Sequence, residues 1–521
     1  MTDTKLGPDV RAVSSRRGRP PATVLIIAAG VSALGLVPLV YVVVSAVATG
    51  WPTMSDLIFR PRVVELLINT VSLVVITVPL CAVVGVTAAW LVERTALPGA
   101  RVLAVVLAAP LAIPAFVNSY GWVSVVPSLH GLWSGVLVAG TSYFPLVYLP
   151  CAAALRRLDP AVEEAASSLG MSPAETVLQV VLPQLRLPLL GGSLLIALHL
   201  LAEYGAFAMI RFDTFTTAIV QQFQSTFNGP AANAIAGVLV VCCLLVLGGE
   251  SAVRGRARFA RIGAGAGRPA ARQRLGIWVL PAYVFLGALT AVSIGVPLLS
   301  VLRWLVTGGS AVWTDRYLTV ALAQSLGYGL AAGLIACVAA LPISVLAVRF
   351  PGALVRALES ITYVTSSLPA LVVALAFVTV TIRFVPVLYQ TSTLAVLTYV
   401  VVFLPRAVVS VRAGMAQAPP HLEEAARSFG LPPLLAFVWI TMRFAAPSAL
   451  AGGALVFLGV VNELTATLLL APNGTRTLAT QFWSKVNDID YLGAAPYATL
   501  MVVISLPMTY LLFARSRQVE R

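Results

Sequence analysis

The chain has 521 residues, is 59% hydrophobic and only 10% charged, and sets 34 Lys and Arg against 20 Asp and Glu. That balance excludes a soluble globular enzyme of this size and predicts an all-α polytopic membrane protein. The net charge of +14 then reports topology rather than nucleic-acid binding, because its meaning depends on where the basic residues fall between apolar runs.

Residues 1–21 form a polar tail with Arg11, Arg16, Arg17 and Arg19 ahead of an apolar run too long for a cleaved leader. About 20 apolar residues cross the hydrocarbon. By that measure twelve spans are predicted, at roughly 22–48, 66–92, 102–125, 132–155, 188–210, 231–249, 276–302, 320–348, 360–382, 391–411, 448–471 and 492–513. Between the sixth and seventh, residues 250–275 carry seven arginines among Gly and Ala and read as a flexible basic linker. The chain thus divides into a first half, 22–249, and a second half, 276–513, with a short tail at 514–521. The side holding the tails and the linker carries 26 of the basic residues and the opposite side eight. The positive-inside rule therefore predicts a multi-pass protein of the cell membrane with both termini in the cytoplasm. Five cysteines fall within or at the ends of apolar segments and read as small core residues.

The two halves repeat one another. Glu163-Glu164-Ala165-Ala166, ending at Gly170, returns 260 residues later as Glu423-Glu424-Ala425-Ala426, ending at Gly430. At the same offset Glu203 aligns with Glu463, and Thr217 with Thr477; upstream, at an offset of 255, Asn69-Thr70 faces Gln324-Ser325, Arg94 faces Arg349, and Pro114 faces Pro369. An even number of spans per half gives both repeats the same orientation, related by an axis along the membrane normal, with a solute path between them.

Each repeated loop, 156–187 and 412–447, lies on the cytoplasmic side. In the first, Asp159-Pro160 supplies an N-cap and first-turn proline, and Gly170 is suited to a left-handed helix end. Ser172 to Glu175 has capping-box spacing for a second helix, which Pro183 helps to stop. The second loop keeps Ala-Ala and Gly430 and has Pro432-Pro433 in place of the serine cap. Glu164-Ala165-Ala166, Gly170, Val180, Leu182 and Pro183 together resemble the cytoplasmic loop of binding-protein-dependent ABC importer permeases. Glu424-Ala425-Ala426, Gly430 and Ile440 repeat the pattern, but Met442-Arg443 stand where Leu-Pro is expected.

The resemblance implies two six-helix halves of the type I importer kind. It implies that Glu163, Glu164, Ala165, Ala166 and Gly170, with Glu423, Glu424, Ala425, Ala426 and Gly430, couple to two ATP-hydrolysing subunits in the cytoplasm. It also implies an extracytoplasmic solute-binding protein. The chain has no Gly-x-x-x-x-Gly-Lys-Ser/Thr loop, so it binds no cofactor itself and ATP with Mg belongs to the partners. It reads as a transport subunit and not an enzyme. The loops set aside a twelve-span secondary transporter, whose signature is also missing from Glu93–Arg101.

Residues 202–206 and 214–219, with 462–472 and 477–480, narrow the resemblance to ferric-iron-type permeases. The fused two-half layout is equally that of thiamine-type permeases, so the solute is ferric iron first, with thiamine or another small cationic or organic solute as the alternative. Glu203 and Glu463 lie about 15 residues, or about 22 Å, into their spans. Ionisable groups at that depth face a cavity or a partner. They are candidate path-lining carboxylates, with helix capping as the competing role. His130, His199 and His421 have no companion for a metal site, and the metal-ligating residues stay unknown. Pro110, Pro114 and Pro369 predict kinks in the third and ninth spans.

Overall fold

Lipid offers no partner to an unpaired backbone amide, so apolar runs of this length are driven into helix. A computed structural model describes residues 20–224, 229–254 and 272–518. All but the ends of the predicted tail and linker lie outside the described residues, as do the last three residues of the chain. The described residues are almost wholly helical, with one isolated bridge where Gln273 pairs with Thr95.

Eight helices are long and apolar enough to cross a bilayer, and eleven crossings result when each of three bent pairs counts as one. Tyr491–Pro507 is a shorter apolar helix in the place of the twelfth. The predicted kinks are sharper than expected. The third span breaks between Ala112 and Ala115 with a turn of 92°, and the ninth between Ser366 and Ala370 with a turn of 103°. Pro114 and Pro369 each sit in extended backbone as the N-cap of the following helix. A proline there needs no amide partner, and it bars helix at the residue before it.

The fifth and eleventh spans differ for a reason visible in the sequence. Both enter through a π turn, Val177–Val181 and Phe437–Thr441. After the first, Pro183 removes an amide donor, and the helix bends by 60° between Gln184 and Arg186. After the second, Arg443 keeps its amide, and Pro433–Val461 runs on without such a bend.

The spans pack closely where small residues let backbones approach. The fifth span (Arg186–Ala202) crosses the fourth (Gly131–Arg157) at Gly192, and the eleventh crosses the tenth (Ser392–Ala416) at Gly452, which is the same position in the repeat. A Cβ on Gly192 would stand 2.7 Å from the Leu146 carbonyl oxygen, and one on Gly452 would stand 2.8 Å from Ser410 Cβ. Loops on the far side are held alike as well. Asn69 donates to the Asp213 carbonyl at 3.1 Å, and Gln324 accepts from the Arg476 amide at 2.7 Å. Farther along, the equivalence slips. Thr214 receives the role that Thr477 has at its helix start, so the offset there is 263 and not the 260 that would pair Thr217 with Thr477. The loop before Thr477 is longer by three residues.

Gly452→Val is expected to cost about 1–3 kcal/mol through overpacking against Ser410 and Ala407. Gly191→Ala, with nothing within 4 Å of the added Cβ, is expected to leave stability nearly unchanged. Thermal unfolding of the two variants in detergent checks this.

Candidate functional site

The first repeated loop folds into the short helix Pro160–Ser168. Asp159 accepts the Ala161 amide at its start, and Gly170 ends it at φ +85°. The second gives Pro420–Ser428, ended by Gly430 at φ +89°. Both ends close in the same way: the glycine amide bonds back to Ser167 or Arg427, and the next residue's amide bonds to Ala166 or Ala426. No neighbour lies within 4 Å of a Cβ on either glycine. The left-handed backbone alone therefore calls for glycine here, and another residue would be strained by about 1–2 kcal/mol. The predicted capping box also forms, with Ser172 and Glu175 bonded reciprocally.

The loop residues divide by face. Glu163 and Ala166 turn toward the bundle, as do Glu423 and Ala426, whereas Glu164, Ala165, Glu424 and Ala425 are exposed. Alongside them stand Val162 and Leu169 in one helix and Leu422 and Phe429 in the other. Leu169 and Phe429 are 84% and 87% exposed. This apolar stripe, at spacings of seven residues, was not singled out by the sequence. Its signal was there, as a large apolar side chain just before each glycine.

The inward glutamates are tethered to the bundle. Arg94, the last residue of Pro61–Arg94, makes an ion pair with Glu163 at 2.8 Å and is itself only 4% exposed. Its neighbour Glu93 pairs with Arg156 at 2.6 Å. In the second half Arg349, the last residue of Leu318–Arg349, forks onto both oxygens of Glu423, and the Thr441 hydroxyl donates to the same carboxylate at 2.7 Å. The repeat had matched Arg94 with Arg349 without showing their partners. Burial alone would raise the Glu423 carboxyl, but hydrogen bonds from Arg349 and Thr441 outweigh it and hold the group below the usual carboxylate range.

Glu203 and Glu463 do not sit within unbroken spans. The fifth span stops at Ala202 and the eleventh at Val461, and a new short helix follows each, Gly205–Met209 and Thr465–Leu470. Glu203 accepts the Ala206 amide at 2.9 Å and the Tyr143 hydroxyl at 2.7 Å. Glu463 accepts the Ala466 amide at 2.9 Å. Each carboxylate thus closes the start of a helix by taking one of its unpaired first-turn amides. Both side chains are half-buried, and the two carboxylates interact electrostatically across the halves. The described residues hold no group of three or more His, Cys, Asp or Glu placed to hold a metal ion. The His199 ring packs tilted against Tyr143, with ring centres 5.4 Å apart. Arg406, counted among the 26 basic residues of the cytoplasmic side although the predicted span 391–411 contains it, lies within the helix Ser392–Ala416.

The family of binding-protein-dependent transport system inner membrane components matches residues 46–258 and again 332–521. The chain is 36% identical over 494 residues to the Fe(3+)-transport system permease protein FbpB 2 of Haemophilus influenzae, covering 94% of this chain and 97% of that one. It is 29% identical to the sulfate transport system permease protein CysT of Salmonella typhimurium, over 45% of this chain and 93% of the relative. The sulfate permease CysW of Escherichia coli aligns at 26% identity over 41% of this chain and 80% of its own length.

A carboxyl held below its ordinary value stabilises the fold above about pH 4.3 and loses that contribution as pH falls through the depressed value. Wild-type protein is therefore expected to lose more thermal stability than Glu423→Gln when pH is lowered from about 7 to about 3. Parallel melting curves would remove Glu423 from that role.

Proposed function

The chain belongs to the binding-protein-dependent transport system inner membrane components, and on that premise we propose that it is the permease of an ATP-driven importer carrying ferric iron across a bacterial cytoplasmic membrane. The observation that carries the solute is the 36% identity, over nearly the full length of both chains, to an Fe(3+)-transport permease. A relative that spans both halves and the linker matches the fused layout, which the single-half sulfate permeases do not.

In this reading two ATPase subunits receive the helices Pro160–Ser168 and Pro420–Ser428, one each. The exposed stripe of Val162, Ala165 and Leu169, and of Leu422, Ala425 and Phe429, enters a groove in each subunit, as amphipathic helices do. Glu164 and Glu424, exposed beside that stripe, are placed to pair with basic residues of the partner. Glu163 and Glu423 act on the other face, passing the displacement through Arg94 and Arg349 into the second and eighth spans. Closure of the ATPase pair then biases a two-state bundle between inward- and outward-facing forms. Both termini lie in the cytoplasm, and a solute-binding protein docks on the opposite side. Glu203 and Glu463 flank the passage between the halves.

Leu169→Asp and Phe429→Asp together are expected to abolish co-purification of the ATPase while the permease stays folded, as are Gly170→Leu and Gly430→Leu. Retained ATPase in both pairs would place the docking elsewhere. Uptake of labelled ferric iron by the reconstituted complex, dependent on ATP and on the loaded binding protein, tests the function. Thiamine as the transported species, or transport without any ATPase on a proton gradient, would overturn it.

A further inference from the structure

Two basic side chains, one from each half, interact electrostatically one helical turn on the cytoplasmic side of the carboxylates. His199 precedes Glu203 by four residues in the fifth span. The position that repeats it in the eleventh span is Gly459, four before Glu463. Arg406, from the tenth span, fills the room this glycine leaves, for a Cβ on Gly459 would stand 2.9 Å from its Nη1. The counterpart of Arg406 in the first half, two residues after Leu149 as Arg406 is two after Leu404, is the buried Cys151. The halves thus place a basic group at the same level with different residues, a histidine on one side and an arginine from a neighbouring helix on the other.

Arg406 is poorly satisfied. Its guanidinium lies over the Phe403 ring at 4.7 Å and reaches the Leu455 carbonyl only at 3.4 Å, and no carboxylate oxygen of the described residues comes within ion-pair distance of it. It is exposed although its helix packs against the eighth and eleventh spans, and it interacts electrostatically with both Glu463 and His199. A group in that condition lines an internal aqueous passage rather than lipid. His199 Nδ1 is engaged with the Leu195 carbonyl at 2.7 Å, which leaves Nε2 as its free ring nitrogen. Glu203 and Glu463, meanwhile, spend oxygens on helix amides. At this level the passage offers a forked, permanently charged donor with an imidazole across from it, and no cage for a bare cation.

We propose that Arg406, with His199 opposite, forms an oxyanion site in the passage, taking either a free oxyanion or the anionic ligand shell of a chelated metal. The planar guanidinium fork matches paired oxygens of phosphate, sulfate or carboxylate. This inference rests on the reading of the chain as a permease but not on iron as its cargo.

The test uses the purified full transporter with its ATPase and binding protein. Labelled phosphate and labelled sulfate are the binding probes, with wild type, Arg406→Ala, Arg406→Lys and Gly459→Ala compared. Wild type is expected to bind at least one probe, Arg406→Ala about tenfold or more weakly, and Arg406→Lys in between. Gly459→Ala, which displaces the guanidinium without removing it, is expected to weaken binding even if Arg406→Ala fails to fold. No binding of either probe by wild type, or equal binding by wild type and the folded variants, would overturn the site. In proteoliposomes, labelled phosphate entering alone marks a free oxyanion as cargo. Phosphate entering only together with labelled ferric ion marks the ligand shell. Thiamine uptake with oxyanion binding intact would sink the iron reading and leave the site standing.

Discussion

An arginine at the end of one long helix in each half grips the first glutamate of the short helix beneath it. That ion pair makes the repeated loop part of the bundle rather than a loose strap. In the first half Arg94 is nearly inaccessible, and its pairing with Glu163 is the charge compensation for burying it. Losing one member of such a pair costs about 3–5 kcal/mol, because the other charge stays behind unpaired. A push on either short helix is therefore carried into a helix of more than thirty residues, 34 in the first half and 32 in the second. The glycine closures at 170 and 430 complete the lever by fixing where each short helix ends.

Much of this was legible from residue order alone. The duplicated Glu-Glu-Ala-Ala segments, the glycine two residues beyond each short helix, the capping residues and the division into halves follow from local rules of helix starts and stops. The breaks were harder. Glu203 and Glu463 sit in apolar runs that hydropathy reads as continuous, and only the short-range bond from carboxylate to amide shows that each run is two helices. Pro114 and Pro369 announced a disturbance, but a right-angle turn instead of a kink is decided by what packs around it. Arg406 was miscounted outright, for the predicted span 391–411 already contained it, as does the helix Ser392–Ala416. The slip from 260 to 263 shows the same limit, since a register read from matching letters cannot see which threonine caps the helix.

The halves are alike in plan and unlike in detail. The bend after the first loop follows from Pro183, and the continuous helix after the second from Arg443, which keeps its amide. The outer side differs too. Phe482 packs on Phe116 and Tyr120, and Trp483 on Tyr204, so that the second half's amphipathic helix Leu478–Asn487 reaches into the first half. Ile219 and Val220 stand at the corresponding places in the other copy by the 263 offset of that helix. Such cross-packing joins the halves at the face opposite the tethered helices and leaves the two ends of the passage under different control.

Joining both halves in one polypeptide has a consequence for Arg406. In an assembly of two identical subunits, any side chain near the axis confronts its own twin, and a guanidinium there would repel a second guanidinium at short range. A single covalent chain escapes that rule: a charge enters the conduit once, and its opposite number is free to be an imidazole, a thiol or nothing at all.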